Sequence, residues 1–154
     1  MNILIPSEKK SYAILSLLFF LWLIMPTKVL SQDAADVNLD RMPIKLETDF
    51  ALSALPKHLR SDATVYLLNP LKGYYIAQQG SNGFICFISR TEWEWGEFRN
   101  DLAVPMSYDA EGAKTVFLVY MDVAAIRASG KSSALEVRDS VIARINNGIY
   151  KAPT

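Results

Sequence analysis

The sequence predicts an α+β domain that consists of an N-terminal helix, a three-stranded antiparallel meander, an irregular loop and two C-terminal helices. Three observations support this class. A helical spacing of apolar residues comes first, β-branched and aromatic runs follow, and two long helical patterns end the chain. Since strand and helix patterns are segregated, there is no strand–helix–strand unit, and we expect no parallel sheet.

The first element of the domain is a helix that begins at Pro43, because Pro is tolerated at a first helical position. Leu46 and Phe50 follow at helical spacing. Pro56 then ends this helix or begins a new turn, which carries the one histidine of the chain, His58. We interpret His58 as a surface or capping residue near a helix end and not as a catalytic base.

Three strands are predicted next, at residues 64–68, 74–78 and 84–89. Asn82-Gly83 lies between the second and third of these runs. This pair is the strongest short hairpin signal, because both residues accept positive φ. The third run is apolar on both faces, so we expect it to be a central strand that is covered on each side.

Residues 91–108 form the irregular loop, and two helices follow it. Asp109 is the predicted N-cap of a long helix, with Glu111 in the first turn, where a carboxylate interacts favourably with the helix dipole. Ser133 begins a capping box with Glu136 for the final helix. The apolar stripes expected to be buried are Ala113, Val116, Phe117, Tyr120, Val123, Ala124 and Ile126 on the first helix and Leu135, Val141, Ile142 and Ile145 on the second.

The start of the chain predicts export. Lys9 and Lys10 precede an apolar run at 13–25, and a small-residue site follows at Ser31 and Gln32, which is the order found in secretory signal peptides. The run is shorter than the roughly 20 apolar residues that a spanning helix needs. We therefore expect cleavage between Ser31 and Gln32, with an uncleaved signal anchor as the alternative.

Cleavage at this site would divide the chain into a signal peptide (1–31), a flexible lead-in (32–42) and a single α+β domain (43–154). From Gln32 onward, 13 Lys and Arg stand against 15 Asp and Glu, a net charge of −2. The chain has no basic stripe of the kind that binds nucleic acid. No later segment is apolar for long enough to span a membrane. We therefore expect no nucleic-acid partner and no membrane span after cleavage.

Cys86 is the only cysteine, so an exported chain of this sequence cannot form an internal disulfide. We interpret Cys86 as a small buried apolar residue of the third strand. The alternative is an intermolecular disulfide or a reactive thiol.

Several segments resemble a set of uncharacterised exported bacterial proteins. The similar pieces are the strand ATVYLL, the hairpin GSNGFIC, the helix start YDAEG and a helix junction, here at residues 63–68, 80–86, 108–112 and 126–132. None of these pieces is a catalytic motif. The resemblance spans roughly Leu52 to Pro153 and implies a fold and an exported location, not a reaction.

The chain departs from these proteins at one cysteine. In the proteins that it resembles, a second cysteine often lies just before the helix start and could pair with the cysteine of the hairpin. Here Met106 and Ser107 occupy that place, so the resemblance implies no such partner for Cys86.

A search of the sequence for catalytic and cofactor motifs is mostly negative. There is no glycine-rich phosphate loop, no G-x-S-x-G and no H-E-x-x-H or C-x-x-C spacing, and we expect no cofactor and no metal. Asp101, Asp109 and Glu111 form a carboxylate group in or beside the loop. Paired carboxylates can catalyse glycoside hydrolysis, but Asp109 and Glu111 are also where N-terminal capping places them.

Glu92-Trp93-Glu94-Trp95 is the most suggestive local pattern. In an extended segment the two indoles share one side, where they can stack on a carbohydrate or on an envelope protein. The alternative is that they pack over the sheet. We expect one indole of Trp93 and Trp95 to pack and the other to be exposed.

The leading hypothesis is a non-catalytic binding or structural envelope domain, and the alternative is a small hydrolase that uses Asp101, Asp109 and Glu111.

Overall fold

The computed structural model describes residues 39–91 and 96–151. The chain divides into two units, Met1–Ser31 and Gln32–Thr154, and the described residues all belong to the second. The predicted leader and its cleavage site at Ser31 and Gln32 lie outside the described residues. No helix in the described ranges is long and apolar enough to cross a membrane.

The described residues form an α+β domain with four α-helices and four strands. In chain order these are α1 (Ile44–Leu52), a 3₁₀ turn (Lys57–Leu59), β1 (Thr64–Asn69), β2 (Gly73–Gln78), β3 (Ile85–Ser89), β4 (Val104–Tyr108), α2 (Ala110–Lys114), α3 (Val116–Ala128) and α4 (Ala134–Asn146). The α+β class is therefore confirmed.

The sheet is mixed and has the order β2-β1-β3-β4, so the predicted three-stranded antiparallel meander is wrong. The pairs β1–β2 and β3–β4 are antiparallel. The expectation of no parallel pairing is also wrong, because β1 and β3 run parallel, with Thr64 opposite Ile85 and Val65 opposite Cys86. The third strand is central and fully buried, as its two apolar faces predicted.

The Asn-Gly segment does not form a hairpin, because it carries the chain across the start of β1. The backbone N–H groups of Ser81 and Asn82 donate to the carbonyl oxygen of Asp62, at 2.8 and 3.1 Å. This contact places β3 on the side of β1 opposite to β2. There β3 begins beside the first residues of β1 and runs parallel to it. Gly83 does have the predicted positive φ, at +81°.

The fourth strand, β4, lies within the segment predicted to be an irregular loop. Its residues pair with all five positions of β3, from Tyr108 opposite Ile85 to Val104 opposite Ser89. Pro105 cannot donate a backbone hydrogen bond, which restricts such a strand to the edge of a sheet. A partly exposed strand with Pro at its second position lacks the apolar alternation from which strands are recognised.

The sheet lies between α1 on one face and α3 on the other. The α1 face buries Ala51, Leu55, Ala63, Val65, Leu67, Cys86 and Ile88. The α3 face buries Leu39, Leu68, Tyr74, Ile85, Phe87, Phe117 and Ala124. Leu39 belongs to the predicted flexible lead-in, so the last residues of that segment pack into the core.

The final helix, α4, packs on α3 through a different set of side chains than expected. Val137 and Val141 are fully buried against Val123 of α3. Leu135, Ile142 and Ile145 were expected on this face, but they are 55%, 38% and 44% exposed. The prediction for these three residues is therefore wrong. Helix α4 lies on the outer side of α3, so only one narrow stripe of its side chains is buried.

The predicted helix caps are confirmed. Asp109 Oδ1 accepts hydrogen bonds from the backbone N–H groups of Glu111 and Gly112, at 3.1 and 2.8 Å. Ser133 and Glu136 form a complete capping box. The single long helix expected after Asp109 is interrupted at Thr115, which separates α2 from α3. The hydroxyl of Thr115 donates to the Glu111 carbonyl at 2.9 Å, a bond that bends helices.

Candidate functional site

The loop that contains the two tryptophans follows the central strand β3. We call residues 91–98 the tryptophan loop; Trp93 and Trp95 themselves lie outside the described residues, as do Glu92 and Glu94. The backbone N–H of Arg99 donates to the carbonyl oxygen of Arg90 at 2.8 Å. This bond joins the residues on either side of the loop, so the two ends of the loop meet at the end of β3.

Arg90 fixes the base of this loop from within the core. It is only 7% exposed, and its guanidinium donates to the carbonyl oxygen of Arg99 at 3.3 Å, to Asn100 Oδ1 at 3.3 Å and to the carbonyl oxygen of Asp40 at 3.5 Å. The backbone N–H of Asp40 also donates to Asn100 Oδ1, at 2.9 Å. One buried cation therefore ties the loop base to the segment before α1.

A buried carboxylate lies close to this cation. Glu47 of α1 is 6% exposed, and its Oε1 accepts the backbone N–H of Leu68 at 2.8 Å. Burial raises the pKa of Glu47, while the Leu68 donor and the charge of Arg90 act in the opposite direction. This hydrogen bond satisfies a backbone N–H in the part of β1 that extends past its pairs with β3. Glu47 and Arg90 thus place opposite charges at the same end of the sheet.

The exit of the tryptophan loop packs on the junction of α3 and α4. Gly96 has φ +64°, and a Cβ there would lie 2.2 Å from the carbonyl oxygen of Ala134. Its neighbour Glu97 interacts electrostatically with Arg127, which is 4% exposed and donates to the Ser132 carbonyl at 2.9 Å. The Nε of Arg127 is buried and has no hydrogen-bond partner among residues 39–91 and 96–151.

Burial lowers the pKa of the Arg127 guanidinium, and the charge of Glu97 acts in the opposite direction. An Arg side chain remains protonated in proteins under ordinary conditions. The described residues at the two ends of the loop thus lie near two buried cations, Arg90 at its base and Arg127 at its exit. Sequence reasoning identified neither role, because a charged residue shows no pattern that marks it as buried.

The structure separates one of the candidate carboxylates, Asp101, from Asp109. Asp101 is bound by Arg99, whose Nε donates to Asp101 Oδ1 at 2.8 Å, and this hydrogen bond lowers the pKa of Asp101. Asp109 is the cap of α2 at the other end of β4. Five residues of strand separate the two by more than about 13 Å. Glycosidase carboxylates are roughly 5–9.5 Å apart, so Asp101 cannot pair with Asp109 in this way.

The other candidate groups have unreactive surroundings in the described structure. Cys86 is free and fully buried, as predicted, and burial raises its pKa to about 11. The thiolate is the reactive form of cysteine, so the raised pKa and the burial both disfavour reaction of this thiol with reagents in solution. His58 is exposed in the 3₁₀ turn. The described residues contain no group of three or more His, Cys, Asp or Glu side chains that could hold a metal ion.

No protein-family model, no curated protein and no solved structure matches this chain. The resemblance of the hairpin and helix-start segments to uncharacterised exported bacterial proteins therefore stays a prediction.

Proposed function

We propose that this protein is an exported domain that acts by binding a partner or as a structural part of the cell envelope, without catalysis. Trp93 and Trp95 make the contact in this proposal. The observation that carries it is the closed base of the tryptophan loop, where the Arg99 N–H bonds the Arg90 carbonyl at 2.8 Å. Binding residues concentrate on loops that a rigid scaffold positions.

The chemistry of the loop fits a carbohydrate or an envelope protein as partner. Two indoles separated by one residue offer a large apolar contact with a polar N–H at the edge of each ring.

Tryptophan fluorescence offers a direct test of this proposal. Trp22 is the only other tryptophan, so after cleavage at Ser31 the emission would report on Trp93 and Trp95 alone. Cell-wall glycan fragments, and separately solubilised envelope proteins, are titrated into the purified protein. We expect one of them to shift the emission. We also expect Trp93→Ala or Trp95→Ala to weaken that binding at least about 10-fold, as for an interface hot spot.

The matched control is Leu71→Ala, which removes an exposed apolar side chain in the β1–β2 turn. This variant should bind as the unchanged protein does. Thermal melts of all three variants separate binding from packing. If both tryptophan variants unfold, the indoles belong to the core and the binding proposal loses its residues. An indole that only meets a partner should leave stability within about 0.5 kcal/mol.

Export is a separate prediction that rests on the sequence of residues 1–31. When the full chain is expressed with its own leader in a bacterium, the protein recovered outside the cytoplasm should begin at Gln32. N-terminal sequencing or intact mass measures this directly. A full-length protein that sediments with the membranes would instead support the signal anchor. Replacing Ser31 with a bulky residue should block processing, because the cleavage site requires small residues.

A further inference from the structure

The outer edge of β2 carries neither charge nor Pro, and its one irregularity is a β-bulge at Ala77, where the pairing with β1 shifts register. β2 is the end strand of the sheet and pairs only with β1 among the described strands. Its residues 73–78 contain no charged residue and no Pro. Edge strands usually carry such residues, because their unpaired N–H and C=O groups would otherwise pair with another chain. The opposite edge strand, β4, has Pro105 at its second position.

Apolar side chains are exposed along the same strand. Tyr75 is 43% exposed and Ile76 is 48% exposed. Successive residues of a strand point to opposite faces, so apolar surface is present on both faces of β2. A strand added at this edge would cover part of both side chains and would bond the backbone groups that no described strand pairs.

β2 is also held firmly in place, so that pairing would require little reorganisation. Gly73, with φ +87°, lies against the backbone of Ala124 and Ala125 of α3. Tyr74 is 8% exposed, and its hydroxyl donates to the carbonyl oxygen of Ile88 at 2.7 Å. A rigid strand loses little conformational entropy on binding, which favours association.

The charges at the two ends of β2 indicate which partner fits. Lys72 immediately precedes the strand and is exposed. Asp62, also exposed, precedes β1, and its carbonyl oxygen lies next to Gly80, two residues beyond the other end of β2. Among the described residues, neither Lys72 nor Asp62 forms an ion pair. An antiparallel copy of the same strand would bring each lysine to the end that carries the aspartate of the other copy.

We propose that β2 pairs antiparallel with β2 of a second copy of this chain, about a twofold axis, to give a continuous eight-stranded sheet. An antiparallel edge is complementary to itself in its hydrogen bonds, which suits a twofold dimer. The uncharged strand places no like charges opposite each other. The end charges, Lys72 and Asp62, attract across the axis at both ends. This dimer goes beyond the proposed function and does not depend on the tryptophan loop.

The first test measures molar mass by light scattering over a range of concentrations. The full chain is expressed, and the purified product is used in whichever processed form it is recovered. We expect a dimer for the unchanged protein and a monomer for Ile76→Lys, which places a charge in the middle of the edge. The control is Val104→Lys on β4, where the native side chain is similarly exposed, at 42%. This control should remain a dimer, and melts should show both variants folded.

The second test reverses the end charges. Lys72→Glu and Asp62→Lys should each weaken dimerisation roughly fivefold or more, because twofold symmetry places every change in two contacts. The double variant should recover the dimer. Three results would overturn the proposal: a monomeric unchanged protein at the highest concentration reached, a dimer that persists in Ile76→Lys, or a double reversal that fails to restore association. Open-ended polymers would likewise contradict a closed twofold pair.

Discussion

Replacing Gly80 with alanine should lower the free energy of unfolding by about 3 kcal/mol or more, the range for substitutions that strain a fixed backbone. A Cβ at this position would lie 2.2 Å from the carbonyl oxygen of Asp62 and 2.5 Å from the backbone nitrogen of Thr64. Both atoms belong to main chain that leads into the central strands. They cannot move aside as the end of a flexible side chain can.

Two neighbouring positions provide matched controls for Gly80→Ala. Gly83 has φ +81°, but a Cβ there would meet only the Ala110 side chain, at 3.8 Å. Gly83→Ala should therefore cost only the strain of a left-handed residue, about 1–2 kcal/mol. Ser81→Ala should change stability by less than about 0.5 kcal/mol. Urea denaturation measures all three, and a Gly80 variant as stable as the Gly83 variant would show that the crossing is loosely packed.

The contrast between Gly80 and Gly83 also shows why the topology could not be predicted from the sequence. Asn82-Gly83 is a local signal, and the positive φ that it predicts is present. Whether such a turn joins two paired strands depends on contacts outside it. Here the contact of Ser81 and Asn82 with Asp62, about twenty residues earlier, decides the pairing of β3. Local patterns therefore identified three strands but did not determine their order.

The accuracy of the other predictions follows the same distinction between local and distant causes. The capping box at Ser133 and the cap at Asp109 were predicted correctly, because each involves residues within one helical turn. β3 was recognised as central because both of its faces are apolar. The edge strand β4 was missed because a half-exposed strand does not need that pattern. Its pairing partner lies on a separate segment of the chain.

The candidate site was only partly accessible to sequence analysis for the same reason. The two tryptophans stand out from composition alone. The residues that hold their loop do not, because Arg90 contacts Asn100 and Asp40, which are distant in sequence from it or from each other. Glu47 acts on Leu68, in a strand that is separate from its helix. A buried charge is recognised by its partners, and those partners become known only with the fold.

Introducing a second cysteine at Ser107 should stabilise the protein by about 3 kcal/mol under oxidising conditions, as expected for a disulfide that closes a loop of this length. Ser107 lies directly opposite Cys86 in the antiparallel pair of β3 and β4. Cα atoms of such residues are about 4.5–5.5 Å apart, within the range that a disulfide requires. Directly opposite side chains also share a face of the sheet.

The control for this variant is Met106→Cys, one residue earlier on β4. Met106 pairs with Phe87, so its side chain lies on the other face of the sheet from Cys86. Thiol titration of the denatured, unreduced protein should find no thiol in Ser107→Cys and two in Met106→Cys. The gain in melting temperature should disappear after reduction. Two titratable thiols in oxidised Ser107→Cys would show that β3 and β4 pair in a different register, and the placement of β4 at the sheet edge would then have to be revised.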